Sequence, residues 1–390
     1  MCSTVRPWCI VVDAETAEPV RHVCAELNLQ AKRDHGRGYL PHIIYAVGNS
    51  GGLETGVDPS GSRRFLTTEA LLAINPTGIK IPVVQRRPDD LATLICTSGS
   101  SGVPKAVMLS DSVWSRRVYQ PRPGGGPFPA DCGGDKLWVS FQPPFHTMDR
   151  KSVWECLFVG GKIGIHQDAH GKEELWDDFQ ELQPDRIISS PAFWKQLHLD
   201  WEIAGGTAEA TAAILTRLGG RVHTGNISGA RPSKALVAFM CDHLGFKKPP
   251  GNNYSSTEAH LVMSNGQVDA RNGVRVKLID VPGMYTAAEH RAGELLVASP
   301  SILSGYYGNQ EATETAIVCD NEGTAWYRTG DVARVVTRDD GSVVLSRDGK
   351  TPTYDIIDRV GSVVKMASGE FVNPTVVEEK LSSICTVSVK

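Results

Sequence analysis

At 390 residues and 41% hydrophobic composition, the chain is long enough to bury a substantial core, and two or three folding units are expected. Its 40 basic and 44 acidic residues include no long run of either sign, which excludes the electrostatic footprint of a nucleic-acid binder. No apolar stretch reaches the roughly 18 to 20 residues that span a bilayer, so any membrane contact would be peripheral.

Nine cysteines are scattered without CxxC pairs, and several lie in apolar runs such as LICTSG. This usage fits a reduced compartment, and a cytoplasmic protein is expected. The N-terminal WCIVV is followed at once by Asp13 and Glu15 with no small-residue cleavage pattern, so no signal peptide is read.

In chain order, WCIVVD reads as a strand, PVRHVCAELN as a helix, HIIYAV as a strand and LATLICT as another. The stretch QPRPGGGPFPADCGGD should stay irregular because of its Pro and Gly content. Beyond it LWVSF, GKIGIH and RIISS read as strands, alternating with the helical patterns DRKSVWECLFVG and KEELWDDFQEL. This alternation predicts an α/β fold of layered sheets with flanking helices. From about Arg271 the texture changes to RVKLIDV, GELLVAS, DVARVVT and GSVVLS, short strands with turn signals between them, which predicts a smaller antiparallel β subdomain. The tail from Val363 reads as a strand, a turn and a helix opening near Asn373-Pro374.

The segment with the most chemistry is Thr97-Ser98-Gly99-Ser100-Ser101-Gly102-Val103-Pro104-Lys105, directly after the apolar run Leu91 to Cys96. Glycines let backbone N–H groups approach phosphate oxygens, hydroxyls donate further hydrogen bonds, and lysine supplies positive charge. The GK[ST] ending of the common P-loop is absent, since Ala106 follows Lys105. Composition alone would equally describe a Ser/Gly linker, but a linker seldom starts at the end of a buried strand.

The string TSGSSGVPKAV resembles the phosphate loop of the AMP-dependent synthetases and ligases, the adenylate-forming superfamily. Four further segments fit the same family in the same order up to Glu370. They are Asn226-Ile227-Ser228-Gly229-Ala230, Tyr254-Ser255-Ser256-Thr257-Glu258, Tyr327-Arg328-Thr329-Gly330-Asp331, and Asp358-Arg359 with Val363 to Phe371. The form of the last, with GVRVKLIDVPGMY and GELLVASPSILSGYYGN, is similar to long-chain acyl-CoA synthetases and to the adenylation domains of carboxylic acid reductases.

The resemblance implies ATP and Mg²⁺ as cofactors and a carboxylic acid as the other small-molecule partner. Thr97, Ser98, Gly99, Ser100, Ser101, Gly102 and Lys105 would surround the phosphates. Tyr254 would pack on adenine, along which the backbone of Ser228, Gly229 and Ala230 would lie. Thr257 would bond the α-phosphate, Glu258 would hold the metal, and Asp331 and Arg359 would contact the ribose. Ser255 stands where relatives carry glycine, and Gly361 where they often carry a polar hinge residue. His146, in Phe145-His146-Thr147-Met148, matches a gate near the acyl carboxylate, although a histidine after two prolines is as readily a packed or solvent-facing loop residue. Taken singly, YSSTE also reads as a helix N-cap and TGD as an ordinary turn. Phe193 and Trp194 are candidates for an acyl pocket, but aromatic residues on a helix are more often core.

The expected reaction is ATP-dependent conversion of a fatty or aryl acid to acyl-AMP, with transfer to coenzyme A or a phosphopantetheine carrier where a complete C-terminal lobe is present. The alternatives are a catalytically impaired nucleotide-binding fragment and the adenylation part of a carboxylic acid reductase. The expected organisation is a nucleotide- and acyl-binding α/β region over 1–270, a β-rich subdomain over 271–357, and a hinge with the start of a truncated C-terminal lobe over 358–390. Part of the first α/β unit is expected to be missing as well.

Overall fold

The computed structural model describes residues 85–97, 104–119, 136–166, 172–228, 232–246 and 252–360, together with five short strands outside those ranges. These five are β1 (Cys9–Val12), β2 (His42–Tyr45), β3 (Phe65–Thr67), β19 (Val364–Lys365) and β20 (Phe371–Val372). The helices expected over PVRHVCAELN and after Asn373 lie outside the described residues.

The chain divides into two compact units. The first is Met1–Arg87, Cys96–Ala106 and Tyr306–Asn309, and the second is Pro88–Ile95, Val107–Gly305 and Gln310–Lys390. In the first, β1, β2 and β3 form a parallel sheet in that order. In the second, β19 pairs antiparallel with β20.

The elements between are β4 (Leu91–Thr97), β5 (Lys105–Ser110), α1 (Asp111–Tyr119), β6 (Leu137–Ser140), α2 (Thr147–Phe158), β7 (Lys162–Ile165), α3 (Lys172–Leu182) and β8 (Arg186–Ser189). They continue with α4 (Pro191–Ile203), α5 (Ala208–Arg217), β9 (Thr224–Ser228), α6 (Lys234–Ala238), β10 (Asn252–Ser256), β11 (His260–Ser264) and β12 (Gln267–Val268). The chain then forms β13 (Arg275–Ile279), α7 (Ala287–His290), β14 (Ala292–Ala298), β15 (Gly305–Tyr306), α8 (Gln310–Ala316), β16 (Ile317–Cys319), β17 (Ala325–Val335) and β18 (Tyr354–Arg359).

Seven strands form the main sheet of the second unit in the order β12-β11-β10-β9-β8-β6-β7. From β7 to β10 every pairing is parallel, whereas β10, β11 and β12 pair antiparallel. Parallel strands require crossover connections, and α2, α3, the α4–α5 pair and α6 supply them. Because the strands run the same way, the segments leaving β6, β8, β9 and β10 all emerge at one edge of the sheet.

The helices are built to pack on this sheet. In α3, Leu175, Trp176, Phe179 and Leu182 recur at helical spacing and join the core formed by Ile187, Trp194, Leu197 and Phe239. Pro191 begins α4, where its missing N–H would be unsatisfied anyway. Thr207 caps α5 by accepting from the Ala210 N–H at 3.2 Å, and Ala210, Ile214 and Leu218 turn inward. Phe193 and Trp194 sit edge-on with ring centroids 5.1 Å apart within this core; Trp194 is fully buried and neither residue lines the cavity described below.

The antiparallel subdomain expected after Arg271 is present as a sheet of order β13-β14-β17-β16, with β18 also paired to β17. All seven residues of β14 are buried. A further sheet has the order β15-β5-β4. One expectation shifts. GSVVLS makes isolated bridges, Thr337 with Val343 and Leu345 with Pro352, the second across a turn in which Asp348 accepts from the Lys350 and Thr351 N–H groups. β9 starts at Thr224, where pairing with Arg186 begins. Gly219 and Gly220 close the preceding helix at φ +83° and +73°.

A methyl group at Gly219 would sit 2.2 Å from the Phe179 carbonyl oxygen. Gly219→Ala is therefore expected to destabilise the protein by more than about 1 kcal/mol. A urea midpoint at or above that of the parent would contradict this.

Candidate active site

Three residues singled out from separate motifs meet in the second unit. The Tyr254 hydroxyl on β10 donates to Asp331 Oδ2 on β17 at 2.5 Å. The Arg359 Nε lies 3.5 Å from Asp331 Oδ1, as the pairing of β17 with β18 places Asp331 opposite Arg359. The local chain explains the position of Asp331. Thr329 is buried and donates to the Leu295 carbonyl at 2.8 Å, while its hydroxyl accepts from the Asp331 N–H at 3.0 Å. Gly330 adopts φ +71°, and its carbonyl accepts from the Val360 N–H at 2.7 Å. Burial raises the Asp331 carboxyl pKa, against the Tyr254 hydroxyl and Arg359 charge, which lower it. Burial and then the Asp331 charge push the Tyr254 phenol upward, so it stays protonated as a donor.

YSSTE is a strand and turn, and no helix begins there: β10 ends at Ser256, whose hydroxyl accepts from the Ala259 N–H at 2.9 Å. The turn is held from outside by Arg117 on α1, which is fully buried. Its guanidinium donates to the carbonyls of Thr257 at 2.8 Å, Glu258 at 3.0 Å and Ser301 at 2.7 and 3.1 Å. Burial lowers its pKa to about 10, with the Glu258 charge acting the other way, so it remains cationic at neutral pH. The Glu258 carbonyl also accepts from the Leu303 N–H at 2.7 Å. Nothing local marks this role, since Arg117 stands beside Arg116 in a short helical segment.

His146 is exposed and occupies the N-cap of α2 in an extended conformation, its ring 4.9 Å from that of Phe145. Arg150 secures this loop by donating to the Pro144 carbonyl at 3.0 Å and to Thr93 at 2.9 Å. The next residue, Thr147, donates to the Thr257 hydroxyl at 3.4 Å. A cavity of about 790 Å³ opens beside these groups, lined among others by His146, Thr147, Ser255, Thr257 and His260. Glu258 is not among its lining residues.

His260, which belongs to none of the five motifs, opens β11 at φ +63° and is buried. Burial, with the Lys151 and Arg117 charges after it, holds its pKa well below the ordinary imidazole value. The one available sequence signal was its place two residues after Glu258.

Thr97 ends β4 and Lys105 begins β5 in the first unit, with the Lys105 ammonium 5.2 Å from the Tyr306 ring centroid. Ser98, Gly99, Ser100, Ser101 and Gly102 lie outside the described residues, as do Gly229, Ala230 and Gly361, while Ser228 ends β9. Among the described residues no group of three His, Cys, Asp or Glu side chains is placed to hold a metal.

The clamp on the turn can be tested through stability. Arg117→Met leaves the Thr257 and Ser301 carbonyls without that donor in a buried setting, and is expected to cost at least about 2 kcal/mol. A change below about 0.5 kcal/mol in urea unfolding, the range of surface substitutions, would remove the clamp from the account.

The AMP-binding enzyme family matches residues 10–307. Peroxisomal long chain acyl-CoA synthetase 6 of Arabidopsis thaliana is 29% identical over 336 residues, covering 75% of this chain and 44% of that protein. A carboxylic acid reductase of Mycobacterium marinum is 29% identical over 310 residues, covering 74% of this chain and 24% of that one. The chain thus spans less than half the length of either relative. The fold is similar to that of the A-PCP didomain of carboxylic acid reductase from Segniliparus rugosus, solved in complex with AMP, with a TM-score of 0.70 at 22% identity over 97% of this chain and 51% of that one. No described helix is long and apolar enough to cross a membrane. The extent of the family match and the likeness of fold agree: the chain belongs to the AMP-binding enzyme family.

Proposed function

We propose that this chain activates a carboxylic acid at the expense of ATP, giving acyl-AMP and pyrophosphate. The observation that carries the reading is the meeting of Tyr254, Asp331 and Arg359 from three strands. Each was singled out from its own motif as a contact of the nucleoside. A carboxylate is purely an acceptor and suits a diol, and a protonated phenol beside it offers an aromatic face to a base.

The acid is ionised at neutral pH, with an ordinary pKa near 4. It attacks the α-phosphorus directly; a carboxylate oxygen–phosphorus bond forms, the bond to the pyrophosphate oxygen breaks, and no proton need move. Charge repulsion is the obstacle, so the catalyst must neutralise phosphates and hold two anions together. Lys105 supplies positive charge, and the loop from Thr97 to Gly102 supplies backbone N–H groups and hydroxyls. Glu258 would hold Mg²⁺, which when bound offsets charge on the phosphate oxygens. Thr257 donates to the α-phosphate, and His146 orients the acid's carboxylate at the mouth of the cavity, which receives the rest of the acid.

Both relatives named above fit this first step, and their names point to different sequels. Transfer to coenzyme A follows from likeness to the acyl-CoA synthetase, and a phosphopantetheine carrier from likeness to the reductase. Incubation with ATP, Mg²⁺ and a panel of fatty and aryl acids, with acyl-AMP trapped by hydroxylamine, tests the shared step. ATP affinity by calorimetry with no hydroxamate from any acid would leave a nucleotide-binding module in its place. Lys105→Ala and Glu258→Gln are each expected to lower hydroxamate formation about 100-fold to 1,000-fold, the range for losing one preorganised electrostatic contact. Their melting temperatures should stay near that of the parent; a parallel collapse of folding would make both residues structural.

A further inference from the structure

His260 has three properties that its place in a strand does not require. Its φ of +63° lies in the left-handed region that residues with a side chain rarely adopt. Its side chain is about nine-tenths buried, with 9% exposure. Its imidazole makes no hydrogen bond to the protein among the described residues, although it lines the cavity of about 790 Å³. Glycine would meet the backbone requirement alone. The ring is not among the buried polar groups left without a partner, so its nitrogens open onto the cavity, where a ligand group can meet them.

The rest of the wall points to what that group is. Ser152, Asn253, Ser264 and Gln267 line the same cavity, alongside the apolar Ile188 and Leu261 and charged groups of both signs, Lys151, Glu155 and Arg186 among them. A cavity for a plain alkyl chain gains nothing from side-chain amides and hydroxyls, each of which must be desolvated when the chain enters.

We propose that His260 is a specificity-determining residue and that the cavity takes carboxylic acids bearing a hydroxyl group, bonded by the His260 imidazole. The inference rests on the reading of this cavity as the acid's site. A hydroxyl both donates and accepts, so it matches either ring nitrogen in either tautomer. Sites that bond a substrate hydroxyl discriminate strongly against the analogue lacking it, because the site's own polar groups are then left unpaired.

Matched pairs of acids test this: octanoic against ω-hydroxyoctanoic acid, and phenylpropanoic against para-hydroxyphenylpropanoic acid. Each is assayed with ATP and Mg²⁺ by hydroxamate formation, and separately for binding by calorimetry without ATP. The parent protein is expected to favour at least one hydroxylated member by about tenfold or more in both kcat/KM and Kd. His260→Gly, which suits the backbone angle, should bring the ratio to about one. His260→Asn, which tolerates that angle and keeps a donor and an acceptor, should retain part of it. Equal or better use of the unsubstituted acids by the parent, or an unchanged ratio in His260→Gly, would overturn the inference while leaving acid activation standing. A calorimetric preference that depends on His260, with no turnover of any acid, would support the inference and remove the activation reading. Absence of both binding and turnover would remove both.

Discussion

A buried guanidinium fixes the piece of backbone on which the proposed chemistry depends. Arg117 gives four hydrogen bonds to three carbonyls, those of Thr257, Glu258 and Ser301. Removing a charge from water is costly, and here it is offset by carbonyl dipoles and by the Glu258 charge, the contribution that opposes the fall in its pKa. The peptide units on both sides of Glu258 therefore have one position. A side chain that holds a metal between phosphates needs such a fixed origin, since Mg²⁺ tolerates little departure from its preferred geometry.

The sheet supplies the second constraint. In open α/β sheets ligands gather beyond the carboxyl ends of the strands. The segments leaving β6, β8 and β10 carry His146, Ser190 and Thr257 to that edge, where Ser228 ends β9. The antiparallel sheet adds Asp331 and Arg359, and the Tyr254–Asp331 hydrogen bond ties a strand of one sheet to a strand of the other. Asp331 reaches its place because Gly330 takes a left-handed turn inside an otherwise extended strand, with the Thr329 hydroxyl bracing the peptide of Asp331.

Much of this was legible as motifs because the residues of each lie next to one another in the chain. Tyr327 to Asp331 and Tyr254 to Glu258 are local strings whose shape is set by local backbone geometry. Alternation of apolar runs with helical spacing likewise located β6, α2, β7, α3 and β8. The cavity was not legible. Its wall draws on 142–152, 186–190, 253–272 and 346–348, segments that only the sheet order brings together. Arg117 escaped for a related reason: its partners lie 140, 141 and 184 residues away, and nothing in SRRV distinguishes it from Arg116. GSVVLS pairs on both sides, with Val336 and Thr353 bonded to Val344, but only through isolated bridges, since the turns around it leave too short a run for a continuous ladder.

Two left-handed residues in one site separate what backbone geometry needs from what a side chain does. At Gly330 the turn alone is required, and an added methyl group would meet nothing within 4 Å, so any penalty there would be backbone strain. At His260 the chain bears a strain of about 1 to 3 kcal/mol that glycine would avoid, and such strain persists only where the surroundings over-determine it. They do so here from both sides. Arg117 grips the carbonyls of Thr257 and Glu258 before it, and β11 is locked to β10 from the Ser256–His260 pair onward. A histidine at a backbone angle that glycine adopts more easily, between the proposed metal-holding turn and the cavity, is what the proposed contact with the acid requires.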